Sequence, residues 1–216
     1  MSGKTDVELA AALFSLIGEE LPHDRQKDAE AAQRRKQMPD DRQVLLSILA
    51  LCGEPKTPQQ LYICAKAYSW LGAAYSEKAV QAIEAYLASP GWNELPSGTV
   101  MEEGIRVSLR VRQRANLYLD LGSGYAAAEN LEKAASAYMN AYGLEPYRIL
   151  CAVEVSNLLV RRGKNKEAMK FLVQQKKAPY YRTQRFRDKN GQMCYNTFFR
   201  DSLDRQIEKL KKVIPD

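Results

Sequence analysis

The sequence predicts an all-α protein: a right-handed α-solenoid of stacked antiparallel helix hairpins, finished by a C-terminal capping helix. Three observations predict it. A block beginning Tyr118-x-x-Leu121-Gly122-x-x-Tyr125 and continuing through Ala134, Tyr138, Ala141 and Pro146 returns in weaker form upstream and downstream. Within the block, Tyr118, Leu121 and Tyr125 fall at the spacing that places side chains on one helix face. The chain of 216 residues is 45% hydrophobic and 27% charged, an ordinary globular composition long enough for a sizeable core or a short solenoid.

Taken in order, 6–19 reads as an amphipathic helix, and 24–37 is so polar that it is a solvated helix or a linker. A short apolar helix over 43–51, capped by Asp40 or Asp41, ends at Cys52-Gly53 with Pro55 beyond. Residues 1–56 thus precede the repeats. Thr57-Pro58 opens the next helix, with proline suited to its first turn. The first copy of the block follows, Tyr68-x-x-Leu71-Gly72-x-x-Tyr75 with Ala82 and Tyr86. Its helix junction is shorter than in the second copy.

An insertion over 89–114 starts with turn chemistry at Ser89-Pro90-Gly91 and Pro96-Ser97-Gly98. From Ile105 to Arg112 apolar and polar residues alternate, as in a strand. With no evident pairing partner and no breaker before Tyr118, an N-terminal extension of the following helix is preferred over 104–113, and the strand is the alternative. In the second copy, small Gly122 and Ala134 let two helices approach closely, and Pro146 stops the second of them. The third copy places Val155, Ser156, Leu159, Gly163, Ala168 and Leu172 at the same positions of a period of about 34 residues. The repeats therefore occupy about 57–88, 115–146 and 149–178. In 179–216, Asn190-Gly191 between aromatic flanks marks a small β-hairpin or an ordered loop. A helix over 197–213 then aligns Phe198, Phe199, Leu203, Ile207, Leu210 and Ile214 to cap the open end.

These residue types and spacings resemble the tetratricopeptide repeat, with Tyr118 where that family usually has Trp. The tail from Pro179-Tyr180-Tyr181 onward faintly resembles uncharacterised tetratricopeptide proteins of Gram-positive bacteria, which implies no activity. The family resemblance implies a protein–protein interaction scaffold whose first helices line a concave groove. By that resemblance the groove residues are Lys66, Ser69 and Ala73 in the first copy, Asn116, Leu119 and Ser123 in the second, and Leu150, Val153 and Asn157 in the third. One subset of the family grips a peptide's C-terminal carboxylate with Lys, Asn and Arg. The matching positions of the third copy are Leu150 and Glu154, so that clamp is absent and binding of chaperone tails is disfavoured.

Charge supplies a rival reading. Of the net +6, the part from Arg148 onward contributes 17 Lys or Arg against 7 Asp or Glu, leaving the rest of the chain negative. In this basic third, Arg182, Arg185 and Arg187 are interleaved with Tyr180, Tyr181 and Phe186, a pattern that could neutralise phosphates and stack on bases. No nucleic-acid-binding motif accompanies it, so a nucleic-acid or polyanion partner is the alternative and a protein or peptide the preferred one. Catalysis is not expected, because the single histidine, His23, sits beside Pro22 in a polar segment. Neither a cofactor nor a metal is expected: Cys52, Cys64, Cys151 and Cys194 are far apart and form no C-x-x-C pair. No apolar stretch is long enough to span a membrane, and the N-terminus lacks a signal-peptide pattern, so a cytoplasmic location with reduced thiols is expected.

Overall fold

The computed structural model describes residues 41–91, 98–102, 105–182, 184–187 and 191–212. The helix predicted over 6–19, the polar segment 24–37, His23 and Ile214 lie outside them. The chain divides into two compact units, Met1–Asn93 and Glu94–Asp216, each described by itself.

The first unit contains α1 (Asp41–Cys52), α2 (Pro58–Leu71), a 3-10 turn (Ala73–Tyr75) and α3 (Ser76–Ala88). Gly53, at φ 57°, supplies the left-handed residue that ends α1, and its N–H donates to the Leu49 carbonyl at 3.1 Å. Thr57 and Gln60 form a capping box at the start of α2. The Thr57 hydroxyl accepts from the Gln60 N–H at 3.2 Å, and the Gln60 side chain accepts from the Thr57 N–H at 3.1 Å. Val44, Leu45, Ile48 and Cys52 of α1 pack on Ile63, Cys64 and Ala67 of α2.

The structure corrects the register of the first repeat. The Tyr68 pattern requires Gly72 inside a helix, but α2 stops at Leu71 and Gly72 adopts φ 85° as its C-cap. A Leu-Gly pair serves equally well as a close-packing point or as a helix end, and here it is the end. The buried positions include Cys64 and Ala67 on α2 and Ala79, Ile83 and Tyr86 on α3. One constant shift carries Cys64, Ala67 and Ala79 onto the buried Leu119, Gly122 and Ala134. A helix hairpin is present, in a register different from that of the Tyr68 pattern.

The second unit opens with strands β1 (Thr99–Glu102) and β2 (Ile105–Ser108), antiparallel with Thr99 opposite Ser108 and Glu102 opposite Ile105. The preferred helical extension is therefore wrong over 105–108. The two-residue period prevails because a partner strand exists just upstream. Two hairpins follow, α4 (Leu109–Ala127) with α5 (Leu131–Leu144) and α6 (Ile149–Arg161) with α7 (Asn165–Gln175). Beyond them come a 3-10 turn (Pro179–Tyr181), β3 (Gln184–Arg187) paired with β4 (Met193–Asn196), and α8 (Phe198–Lys211).

The two hairpins repeat each other down to their backbone hydrogen bonds. In the first loop Asn130 N–H donates to Tyr125 O at 2.9 Å, and in the second Lys164 N–H donates to Leu159 O at 2.9 Å. Each loop turns on one left-handed residue, Glu129 at φ 57° and Gly163 at φ 71°. All of these pairs are separated by the period of about 34 residues, and the bonds are those of a Schellman-type helix end. Ala134 and Ala168, both fully buried, occupy the equivalent points of α5 and α7.

Leu119, Tyr138, Ala141, Cys151, Val155 and Leu158 form the core between α4, α5 and α6. Ala168 and Leu172 of α7 are covered by Phe199, Leu203, Ile207 and Leu210 of α8, which is the predicted cap. Phe198 does not join them, being 51% exposed. The cap is fastened from the side. The Tyr181 hydroxyl donates to Asp204 at 3.1 Å, Lys176 pairs with Asp204 at 2.7 Å, and the Tyr180 ring meets Phe199 edge-on at 4.8 Å.

Ser156 stands where the second repeat has Gly122, and its hydroxyl is buried without a hydrogen-bond partner among the described residues. An unsatisfied buried hydroxyl costs about 1–3 kcal/mol. Ser156→Ala is therefore expected to leave the urea-unfolding midpoint unchanged or raise it. A clear fall in that midpoint would show that the hydroxyl has a stabilising partner.

Candidate functional site

The first helices of the last two hairpins, α4 and α6, run side by side and parallel, fixed by two arginines of the α6 segment. Arg148, the residue before α6, donates from Nη1 to Asn116 Oδ1 at 2.5 Å. About three and a half turns later Arg161 donates from Nη2 to the Ala126 carbonyl at 3.2 Å and pairs with Glu129 at 2.9 Å. Contacts that rise together along both helices define a parallel pair, so the residues between them form one continuous face.

Behind that face Leu119, Val155 and Leu158 join the core. Leu119 is thus buried and lines no open surface, contrary to its assignment to the groove. Asn116 is half-buried and held by Arg148. Ser123 is exposed, with its hydroxyl 3.2 Å from that of Tyr138. Burial pushes the Tyr138 hydroxyl's pKa upward, and the Ser123 contact partly offsets this. On α6, Leu150 is 42% exposed, Val153 is half-buried and Asn157 is exposed. The Asn157 amide oxygen accepts from Gln206 of α8 at 2.9 Å, so the capping helix reaches the end of this face.

Glu154 lies between Leu150 and Asn157 on the same helical stripe, and the groove assignment omitted it as a contact. It is half-buried and makes no ion pair among the described residues. Burial raises its carboxyl pKa above the ordinary range, opposed only by the Asn157 side chain. The position that resembles part of a carboxylate clamp thus carries a carboxylate of its own.

The first-copy positions lie in the other unit. The Lys66 ammonium sits 5.6 Å from the Trp70 ring, and the Ser69 hydroxyl donates to the Ala65 carbonyl at 2.9 Å. Ala73 is off the helix altogether, exposed in the 3-10 turn after Gly72.

Much of the basic third is already engaged. Arg161, Arg162, Lys164 and Lys176 pair with Glu129, Glu132, Glu167 and Asp204 at 2.9, 3.9, 3.1 and 2.7 Å. Tyr180 and Tyr181 are committed to α8. Arg182 is exposed, and Arg185 and Arg187 lie opposite Tyr195 and Met193 in the β3–β4 ladder. Two of the described cysteines are shifted away from reactivity. Burial pushes the Cys64 thiol up to about 12 and Cys151 up to about 11, the reverse of what a nucleophile needs. Among the described residues no cluster of His, Cys, Asp and Glu could hold a metal, and no helix is long and apolar enough to cross a membrane.

The packing defines an all-α protein of helix hairpins with tetratricopeptide-like spacing. No family model and no curated protein matches the chain. Among solved structures it is similar to one described as the crystal structure of MamA protein, with a TM-score of 0.48 and 11% identity over 96% of this chain and 91% of that one. A second, the crystal structure of MamA, gives a TM-score of 0.44 and 14% identity over 84% of this chain and 92% of that one. At such distances the likeness carries no argument about function, which rests on the chain's own residues.

Proposed function

We propose that the chain is a protein-interaction scaffold, whose α4–α6 face holds an extended peptide or a segment of a partner protein. The observation that supports this most is the parallel alignment of α4 and α6. With the two helices so aligned, helical spacing brings Asn116 and Ser123 of α4 and Leu150, Glu154 and Asn157 of α6 to the face proposed for binding. That face is a strip of hydrogen-bonding groups with one exposed apolar side chain, Leu150. Amides and hydroxyls of this kind can bond both the N–H and C=O groups of an extended backbone, while alternate side chains provide selectivity. The role proposed is a binding one, without a catalytic step. Location within a cell is proposed as cytoplasmic, in keeping with buried thiols in reduced form.

The reading is tested by selecting a random linear peptide library, displayed on phage, against the wild-type chain and against Ser123→Trp. Ser123 is exposed, so an indole there covers the strip, at the loss of one hydroxyl contact with Tyr138. The variant is expected to melt within a few degrees of wild type and to lose about tenfold or more in affinity for the selected peptides, a change of roughly 1.4 kcal/mol. Equal affinity in both chains would place the binding surface elsewhere.

A further inference from the structure

We infer that the α4–α6 face selects partners carrying a lysine or arginine side chain, and that Glu154 is the residue that receives it. The inference rests on the binding reading given above and adds the chemistry of the ligand.

Four observations converge on it. Glu154 lies on the α6 stripe between exposed Leu150 and exposed Asn157, and so projects along the face that α4 and α6 share. It makes no ion pair among the described residues, although the chain is rich in cations. The arginines at the two ends of that helix are both engaged elsewhere: Arg148 is held by Asn116 and Glu145, and Arg161 by Ala126 and Glu129. Two neutral pairs lie on this neighbourhood, the Ser123–Tyr138 hydroxyls and the Asn157–Gln206 amides, and Asp120 of α4, one repeat before Glu154, adds a second carboxylate rather than a cation. A negative charge with no counter-charge among the described residues, beside neutral hydrogen-bonding groups, is complementary to a cationic side chain and repels an anionic one. Leu150, one turn before it, provides an apolar contact for the aliphatic stem of lysine or arginine.

Burial disfavours the charged form of Glu154, the Asn157 side chain offsets this only in part, and no cation among the described residues repays the rest. Because the folded state holds the carboxyl pKa above its unfolded value, neutralising the group should hold or raise stability. Loss of function together with an unchanged or higher Tm distinguishes a binding residue from a structural one.

The experiment uses peptides selected from the random library by the full wild-type chain. Each is synthesised a second time with its lysine or arginine replaced by norleucine, and both forms are titrated against wild type, Glu154→Gln and Glu154→Lys. Selected peptides are expected to be enriched in Lys or Arg. Norleucine should weaken binding to wild type by about tenfold and binding to Glu154→Gln by much less, as expected for a partly desolvated charge pair. Glu154→Lys should prefer the same peptides with glutamate at that position. Selected peptides without basic enrichment, or a norleucine effect of equal size in wild type and Glu154→Gln, would overturn the inference. If Ser123→Trp abolishes capture while Glu154→Gln retains the full preference, this inference falls alone. If Ser123→Trp binds as wild type does, the groove reading falls and carries this one with it.

Discussion

Glu145→Ala is expected to destabilise the second unit by about 3–5 kcal/mol, the usual cost of removing one partner from a buried ion pair. Glu145 is fully buried in the short link between α5 and α6. Its Oε1 accepts from Arg112 Nε of α4 at 2.6 Å and from the Tyr147 hydroxyl at 3.0 Å, and its Oε2 pairs with Arg148 Nη1 at 3.4 Å. Burial and the adjacent Glu145 charge push the Tyr147 phenol up to about 12, so that hydroxyl remains a donor at any ordinary pH. Alanine removes the anion that both guanidiniums contact and leaves their charges in a poorly solvated space. Urea unfolding followed by circular dichroism measures the loss. Replacing Arg112, Glu145 and Arg148 together by methionine removes the ions as a set and should cost less than Glu145→Ala alone, because buried networks contribute little net of desolvation. An alanine variant within 1 kcal/mol of wild type, taken as an order-of-magnitude limit, would mean that water reaches the network freely. A second consequence bears on binding. Arg148 also carries the bond to Asn116, so loss of Glu145 should loosen the alignment of α4 with α6 and weaken peptide capture without touching the face itself.

How much of this was legible in the sequence depends on whether one residue pattern has one physical meaning. Ala134 and Ala168 were legible because only small residues fit where two helices cross closely, and both are fully buried. The capping helix was legible because its apolar residues form a single stripe, apart from Phe198 at its first turn. The first repeat was misread because Leu71-Gly72 has the letters of Leu121-Gly122 but the conformation of a helix end. The strand over 105–108 was readable from its alternation, yet its partner at Thr99–Glu102 is only four residues long and carries little signal of its own. In the candidate site, Leu119 and Asp120 fall to either side of the line from Asn116 to Ser123 at about 100° per residue. Which of them turns inward depends on where α5 and α6 lie, and that is tertiary information. Glu154 was visible as a mismatch to a carboxylate clamp. That no described residue pairs with it could be seen only once the arginines at both ends of α6 were found engaged elsewhere.

Gly122→Ala is expected to destabilise the chain by about 1–3 kcal/mol, although alanine is the better helix former by about 1 kcal/mol. The contest is between propensity and space. A Cβ at Gly122 would lie 2.5 Å from both Cδ1 and Cε1 of Tyr138 and 3.0 Å from its Cγ, far inside van der Waals contact. The ring cannot swing away cheaply: it is 4% exposed, packed among Leu119, Val155 and Leu158, and its hydroxyl meets Ser123 at 3.2 Å. Gly143, near the end of α5, provides the control, because a Cβ there meets nothing within 4 Å. Gly143→Ala should therefore express the propensity gain alone and raise the unfolding midpoint. Adding Tyr138→Leu to Gly122→Ala removes the ring edge that the new methyl strikes, so the double variant should be more stable than the two single losses added together. That non-additivity is the decisive measurement, since it isolates the contact from the general cost of changing either residue. If the effects simply add, the close approach of α4 and α5 at this point is not what requires glycine. If Gly122→Ala matches Gly143→Ala in sign, the hairpin accommodates the methyl group by separating its helices, and the tight crossing that the repeat pattern encodes is no constraint on the fold.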